Sequence, residues 1–395
     1  MTKGRSNPKQ VYASRIPEQG TLFDSMAKQH KITEDSACFL KCAVDPFHDT
    51  PIKPKGVPDG STTQSVTKIV QKTVGITRPA AGSGNYNALF IVNPWDIVDG
   101  SSGTEQYTMN RNDTSSETSH PLAPTGLVQC ITSETDCFPA SATFAPGGGA
   151  ALNVGLAATG RTRIIGLGFE VTNTTPALHK GGTVTASRRN NTEPQITNFL
   201  PSVASTTYQA GKIYSSAVAA PEDVIRTPNS KQWAAADGAY VVATHDSTNH
   251  RYARACGRFD EIRQSVKGVP DELTGIYGAY GPDLITSVIR PSNMDASVVY
   301  FEGLPSESTL QLTMRAIVEY LPSVIDPDVD FLEPTPMYEP NVFELLAAIQ
   351  GKAPPAVPVG DNDSGDWFRW VSRTAQAVVP FIFPELAPVV AATAP

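Results

Sequence analysis

The sequence predicts an all-β protein, built as a sandwich or jelly roll, and three observations carry that prediction. First, only 18% of the 395 residues are charged, while 33 prolines and 30 glycines punctuate the chain; an average soluble domain is roughly 25% charged. Second, several short β-branched runs are separated by Ser/Asn/Pro/Gly-rich loops without intervening helical periods, the pattern of a many-turned β fold. Third, in TLQLTMRAIVEY (309–320) the residues Leu310, Leu312, Met314, Ala316, Val318 and Tyr320 alternate with Thr309, Gln311, Thr313, Arg315 and Glu319. A period of two marks a long strand with one buried face, and Ile317 alone breaks it.

Taken in order, residues 1–35 are polar and 51–65 are turn-rich, so both read as arm or loop. Strand signals begin near residue 66. YNALFIV (86–92) lies between turns, and in IIGLGFEV (164–171) Ile165, Leu167, Phe169 and Val171 share a face with two glycines on the other. Here glycine permits close packing against the sheet. GTVTASR (182–188), AYVVATH (239–245), LITSVIR (284–290) and SVVYFEG (297–303) are further strands, and 99–126 and 189–236 are long loops. After Tyr320 a Pro-studded connector leads to a helix over 341–350, with Asn341 as N-cap, Glu344 at the capping-box position and Gly351 as its stop. In DWFRWVSRTAQAVV (366–379), Trp367, Trp370, Val371, Thr374, Ala375 and Val378 recur at helical steps, and Pro380 ends the pattern.

Composition narrows the function. A net charge of −8 argues against a general nucleic-acid binder. The five cysteines (Cys38, Cys42, Cys130, Cys137, Cys256) form neither a CxxC pair nor an even framework, which favours a reducing compartment. The Asn-x-Thr triplets at Asn112, Asn173 and Asn190 are then not expected to be glycosylated. MTKGRSNPKQ lacks the apolar core of a secretory signal, and no run approaches the length of a membrane span.

Familiar catalytic signatures are missing. APGGGAALNVGLAATG (145–160) lacks the Gly-Lys-Ser/Thr end of a phosphate loop and reads as linker, and no Gly-x-Ser-x-Gly elbow exists. His245, Asp246 and His250 lie in a polar loop at a strand end, a weak metal arrangement. Asp326, Asp328 and Asp330 place three carboxylates at alternate positions of an expected extended segment. They suit a hard cation such as Ca²⁺, or a solvated acidic linker. The helix from 366, with Trp367, Phe368, Trp370, Val371 and Val378, suits a bilayer interface or packing under the main domain.

One stretch adds a resemblance. CFLKCAVDPFHDTPIKPKGVPD (38–59) resembles the start of the shell domain of nodavirus coat proteins, alphanodaviruses in particular, through Phe39 to Ala43 and Lys55 to Asp59. GFEVTNTTPALHKGGTVTASR (168–188), and 284–321 with its AIVEYLP ending, resemble later strands of the same shell. Together the matches span about a quarter of the chain. The resemblance implies an eight-stranded viral jelly roll with a polar N-terminal arm (1–37), a shell domain (38–325) with projecting loops, a connector with its helix (326–362), and a membrane-active C-terminal peptide (363–395).

It further implies self-assembly into an icosahedral shell around positive-strand RNA, found in virions and assembled in the host cytoplasm. One self-cleavage at Asn362, assisted by a buried acid, would release a peptide that disrupts host membranes. At the family's acid position stands His48, which leaves Asp49 first and Asp45 second as the acid. The residue after Asn362 is Asp363 rather than a small apolar one, and the arm offers only scattered cations, among them Lys3, Arg5, Lys9 and Arg15, for RNA. Arg188 and Arg189 are further candidates for neutralising RNA. The alternatives are a tombusvirus-like shell held by Ca²⁺, a carbohydrate- or receptor-binding β-sandwich using the two long loops, and, last, a β-sandwich hydrolase.

Overall fold

A computed structural model describes residues 22–28, 31–47, 53–79, 83–92, 127–134, 137, 148–152, 161–189, 195–196, 213–214, 221–227, 229–245, 253–254, 260–265, 283–288, 294–322, 324, 326–360 and 366–382. Two antiparallel sheets face each other across one apolar core. In the first, β1 (Val66–Thr77), β15 (Thr309–Leu321), β5 (Arg161–Asn173) and β10 (Ala239–Ala243) lie side by side, and β11 (Ala253–Arg254) also pairs with β5. In the second the order is β4 (Gly148–Leu152), β3 (Val128–Ser133), β2 (Tyr86–Val92), β14 (Ala296–Leu304), β6 (Thr183–Arg189) and β9 (Lys231–Ala234). Two short ribbons, β7 (Gln195–Ile196) with β8 (Ile213–Tyr214) and β12 (Asp260–Ser265) with β13 (Asp283–Val288), stand apart from both sheets. LITSVIR was expected as a shell strand, but its strand β13 pairs with β12 instead.

The alternation in β15 does what the period requires. Leu310, Leu312, Met314, Ala316, Val318 and Tyr320 all enter the core between the sheets, where Phe90 meets Phe301 edge-on at 5.5 Å and lies over Phe169 at 6.3 Å. Ile317 faces the opposite way, into a second apolar cluster on the outer surface of the first sheet. The expected face of β5 needs one correction. The β15 pairing shifts between Ile317, opposite Gly166, and Val318, opposite Ile164, so β5 carries an extra residue there. That bulge turns Ile165 out to the second cluster while Ile164 takes the core side.

The second cluster is a helical layer, and much of it was expected to be arm. Residues 22–37 carry α1 (Leu22–Lys28) and the start of α2 (Glu34–Val44), with Phe23, Met26 and Ile32 buried. The Thr33 hydroxyl accepts the Ser36 N–H and starts α2, as an N-cap does. α3 (Pro221–Arg226) lies against the second sheet, and α4 (Pro340–Gln350) and α5 (Asp366–Ile382) complete the helical layer. α4 begins one residue before Asn341, because Pro340 supplies the fixed φ favoured in a first turn; Glu339 stands at the cap, but its carboxylate accepts the Thr33 N–H and does not cap the helix. α5 continues through Pro380, and its buried stripe is Trp367, Val371, Ala375 and Val379, with Val378 only half-buried beside it.

Gly166 explains how closely this layer approaches the sheet. A Cβ at that position would stand 2.1 Å from the carbonyl oxygen of Cys42 in α2. Gly166→Ala is therefore expected to cost roughly 1–3 kcal/mol, because α2 must back away from the sheet. Urea unfolding of the purified chain checks this, and an unchanged midpoint contradicts it.

Candidate functional site

α2 ends at Asp45, whose backbone N–H closes the helix on the Lys41 carbonyl. Its side chain is buried at the junction of α2, β10 and α5. One carboxyl oxygen, Oδ1, accepts the Tyr240 hydroxyl at 2.6 Å and the Phe47 N–H at 3.1 Å. Tyr240 reaches this place because β10 is buried on both faces: Ala239, Val241 and Ala243 fill the sandwich core, while Tyr240 and Val242 point into the helical layer. Backbone bonds with Val357, 2.7 Å from the Tyr240 N–H and 3.0 Å to its carbonyl, hold the tyrosine from the other side. Burial, with the Asp45 carboxylate beside it, pushes the Tyr240 hydroxyl well above its usual pKa.

α5 is fastened to the same point. The Trp367 indole N–H donates to the Val44 carbonyl at 3.1 Å, its ring stands edge-on to Tyr240 at 5.6 Å, and Trp370 stacks on it at 5.3 Å. Phe47 closes the opposite side of Tyr240, edge-on at 5.7 Å. The first turn of α5 thus sits directly over the residue preceding Asp45. Asn362 stands five positions before Trp367, so the chain can span at most roughly 18 Å between them.

The other expected residues are placed as follows. Asp49, Asn362 and the arm residues Lys3, Arg5, Lys9 and Arg15 lie outside the described residues, as do Asp246, His250 and the side chain of Phe368. Trp367, Trp370, Val371 and Val378 pack within the subunit, which is the packing alternative for this helix. His245 Nε2 lies 2.9 Å from the Ile165 carbonyl oxygen, and its backbone N–H donates to the Gln350 side chain.

The acidic triplet is not extended. Residues Pro327–Phe331 form a 3₁₀ turn that Asp326 caps by accepting the Asp328 N–H. The Asp328 carboxylate is taken by Lys68 and the Tyr320 hydroxyl, and Asp330 is exposed. Among the described residues no group of three or more His, Cys, Asp or Glu side chains is gathered as a metal would need.

Arg188, expected as an RNA contact, is spent on the fold. Its guanidinium donates to the carbonyls of Val242, Ala353 and Pro354, and burial brings it down to about 10 against the pull of Asp295.

Two features escaped sequence reasoning. One is Tyr240, for which the signal was available: a large aromatic on the strand face opposite Ala239, Val241 and Ala243 demands a third layer to cover it. The other is a buried ion pair. Both Glu319 oxygens accept from Arg163, at 2.7 and 3.0 Å, and also from the Val57 N–H and the Ser65 hydroxyl at 2.9 and 2.7 Å. Arg163 also reaches Asp59. A Cβ at Gly56 would stand 2.7 Å from Glu319, which is why the Lys-Gly-Val-Pro-Asp turn passes there on a glycine.

Comparison with known proteins places the chain. No curated protein matches it. Among solved structures it is similar to the infectious bursal virus T=1 particle protein (TM-score 0.44, 10% identity, 85% of this chain and 96% of that one). It is also similar to the T13 particle protein of infectious bursal disease virus (TM-score 0.42, 10% identity, 89% and 99%). A BFDV capsid protein in decameric form is more distant (TM-score 0.23, 10% identity, 65% and 98%). The model of the peptidase A6 family matches residues 32–382, and the chain belongs to that family.

Proposed function

We propose that this chain is a capsid subunit of nodavirus type that assembles into an icosahedral shell around single-stranded RNA and cuts itself once, after Asn362. The observation that carries the reading is a buried acid, Asp45, lodged under the first turn of the helix that follows Asn362. Membership of a family described as peptidases supports peptide-bond cleavage. The two four-strand orders, β1-β15-β5-β10 and β2-β14-β6-β9, support the jelly-roll reading of the sandwich.

The chemistry needs no external reagent before the cut. The Asn362 side-chain nitrogen attacks its own backbone carbonyl carbon, and the bond to the Asp363 nitrogen breaks. The amide nitrogen loses one proton, the departing amine gains one, and a cyclic imide closes the upstream chain until water opens it. A carboxylic acid at the site gives its proton to the amine and regains one from the amide. Asp45 is taken for that role because its carboxyl is buried and held at the foot of α5. The liberated helix, with its tryptophans and apolar stripe, then becomes available to a host membrane, and cations of the arm contact RNA.

Electron microscopy of the purified protein, with mass measurement of the matured material, tests the reading. Uniform shells containing fragments 1–362 and 363–395 are expected, with only the intact chain in Asn362→Ala shells. A small soluble oligomer, or shells that stay intact on maturation with the wild-type chain, overturns assembly or cleavage respectively.

A further inference from the structure

We infer that Tyr240 is a positioning residue for the self-cleavage, fixing the Asp45 carboxyl at the foot of α5; the inference rests on the cleavage proposed above. Packing alone would be met by phenylalanine, since the ring lies edge-on to Phe47 at 5.7 Å and to Trp367 at 5.6 Å. The hydroxyl is a polar group carried into an apolar layer, a cost that only a hydrogen bond offsets. It is directed to Asp45 Oδ1 at 2.6 Å. The same oxygen accepts the Phe47 N–H at 3.1 Å, so two donors from different directions hold one oxygen and set the rotation of the whole carboxyl.

The tyrosine is itself immobilised. Its backbone pairs in both directions with Val357, in the segment that leads towards Asn362, and the indole of α5 lies against its ring. One side chain therefore touches the acid, the approach to the proposed scissile bond and the helix beyond it. Sequence distance hides this: Tyr240 is 195 residues from Asp45.

The surroundings of this pair define what a pH profile reports. Glu170 acts on Tyr240 electrostatically from β5, while Lys41, one turn back on α2, is held by Asp24 of α1. α4 contributes the neutral Gln350, which donates to the Ala43 carbonyl at 3.2 Å, and α5 contributes the neutral Trp367 indole. At the end of β10, His245 is held at the Ile165 carbonyl. A donor to a carboxylate favours its charged form, so losing the hydroxyl is expected to shift the pH dependence of a step that needs Asp45 protonated.

The test is the rate of fragment appearance in assembled particles across a pH series. Tyr240→Phe keeps the ring and is expected to assemble while cleaving on the order of tenfold more slowly at the plateau. That is a part of the ~10²–10⁴-fold that a placed proton donor contributes. Its alkaline limb should move to higher pH, which a purely structural role would not do. In a second variant, 3-fluorotyrosine at position 240 keeps the ring and the donor but is a stronger acid. There the plateau should stay near that of the unmodified chain and the limb should move to lower pH. Wild-type rate and pH profile in both variants overturns the inference, and if Tyr240→Phe does not assemble the fluorotyrosine variant decides alone. Asp45→Asn separates the two levels. If it cleaves normally the acid assignment itself fails, whereas if it is silent and the Tyr240 variants are normal, only the role of Tyr240 fails.

Discussion

Asp45→Asn particles are expected to assemble and then to cleave about 10²–10⁴-fold more slowly than wild type. The substitution isolates the proton. An asparagine has nearly the same volume, and its Oδ1 still accepts both the Tyr240 hydroxyl and the Phe47 N–H that the aspartate accepts now. These bonds and the Trp367 indole bond to Val44 can therefore be kept, while the ability to hand over and recover a proton is lost. A time course of fragment formation on denaturing gels measures it. A wild-type course would remove Asp45 from the mechanism, and Asp49→Asn run alongside shows whether that acid acts instead.

Glu319→Ala is expected to destabilise the subunit by about 3–5 kcal/mol, the cost of breaking a buried ion pair by removing one of its members. The carboxylate is fully buried, and its loss leaves a guanidinium that is itself only 3% exposed with Asp59 as its remaining carboxylate partner. It also leaves the Val57 N–H and the Ser65 hydroxyl without the acceptor they use now. Removing both charges together, as Arg163→Met with Glu319→Leu, should recover much of the loss, since a pair replaced by apolar groups avoids the stranded charge. Thermal and urea unfolding of the single and double variants check both statements. A single variant as stable as wild type would mean that the pair contributes nothing net.

How much of this was legible follows from where each residue's partners come from. β15 could be read because one of its faces meets the opposite sheet along its whole length, leaving the period of two intact. Ile317 broke the pattern for a physical reason: the helical layer lies over that end of the strand, so both faces are buried there. The same double burial hid α2. Ala37, Phe39, Leu40, Cys42, Ala43 and Val44 are all buried between the sheet and neighbouring helices, so no polar face marks the helix. Only Thr33 and the acidic first turn, Glu34 and Asp35, signalled its start.

The candidate site was legible in its parts and not in its assembly. Asp45 was named from spacing alone, which carries no information about its burial, and Asp49 lies outside the described residues. The value of Tyr240 depends on a contact with a residue far away in sequence. The acidic triplet failed as a reading of geometry. Pro327 begins a 3₁₀ turn, so alternation in sequence did not become a shared direction in space.

The fastening of α5 bears on what a cut at Asn362 would change. The helix is held by Trp367, Val371, Ala375 and Val379 against α2, α4 and β10, and none of these contacts passes through the severed bond. Scission under the proposed mechanism would alter connectivity while leaving the complex in place. Before it, the tether keeps the helix beside its groove at an effective concentration in the ~mM range, so any detachment is reversed at once. After it, the same contacts form an ordinary bimolecular complex that dilution, a competing surface or a local opening of the helical layer can dissociate. The cut would act as a change in the law of mass action, with release governed by the off-rate of one helix.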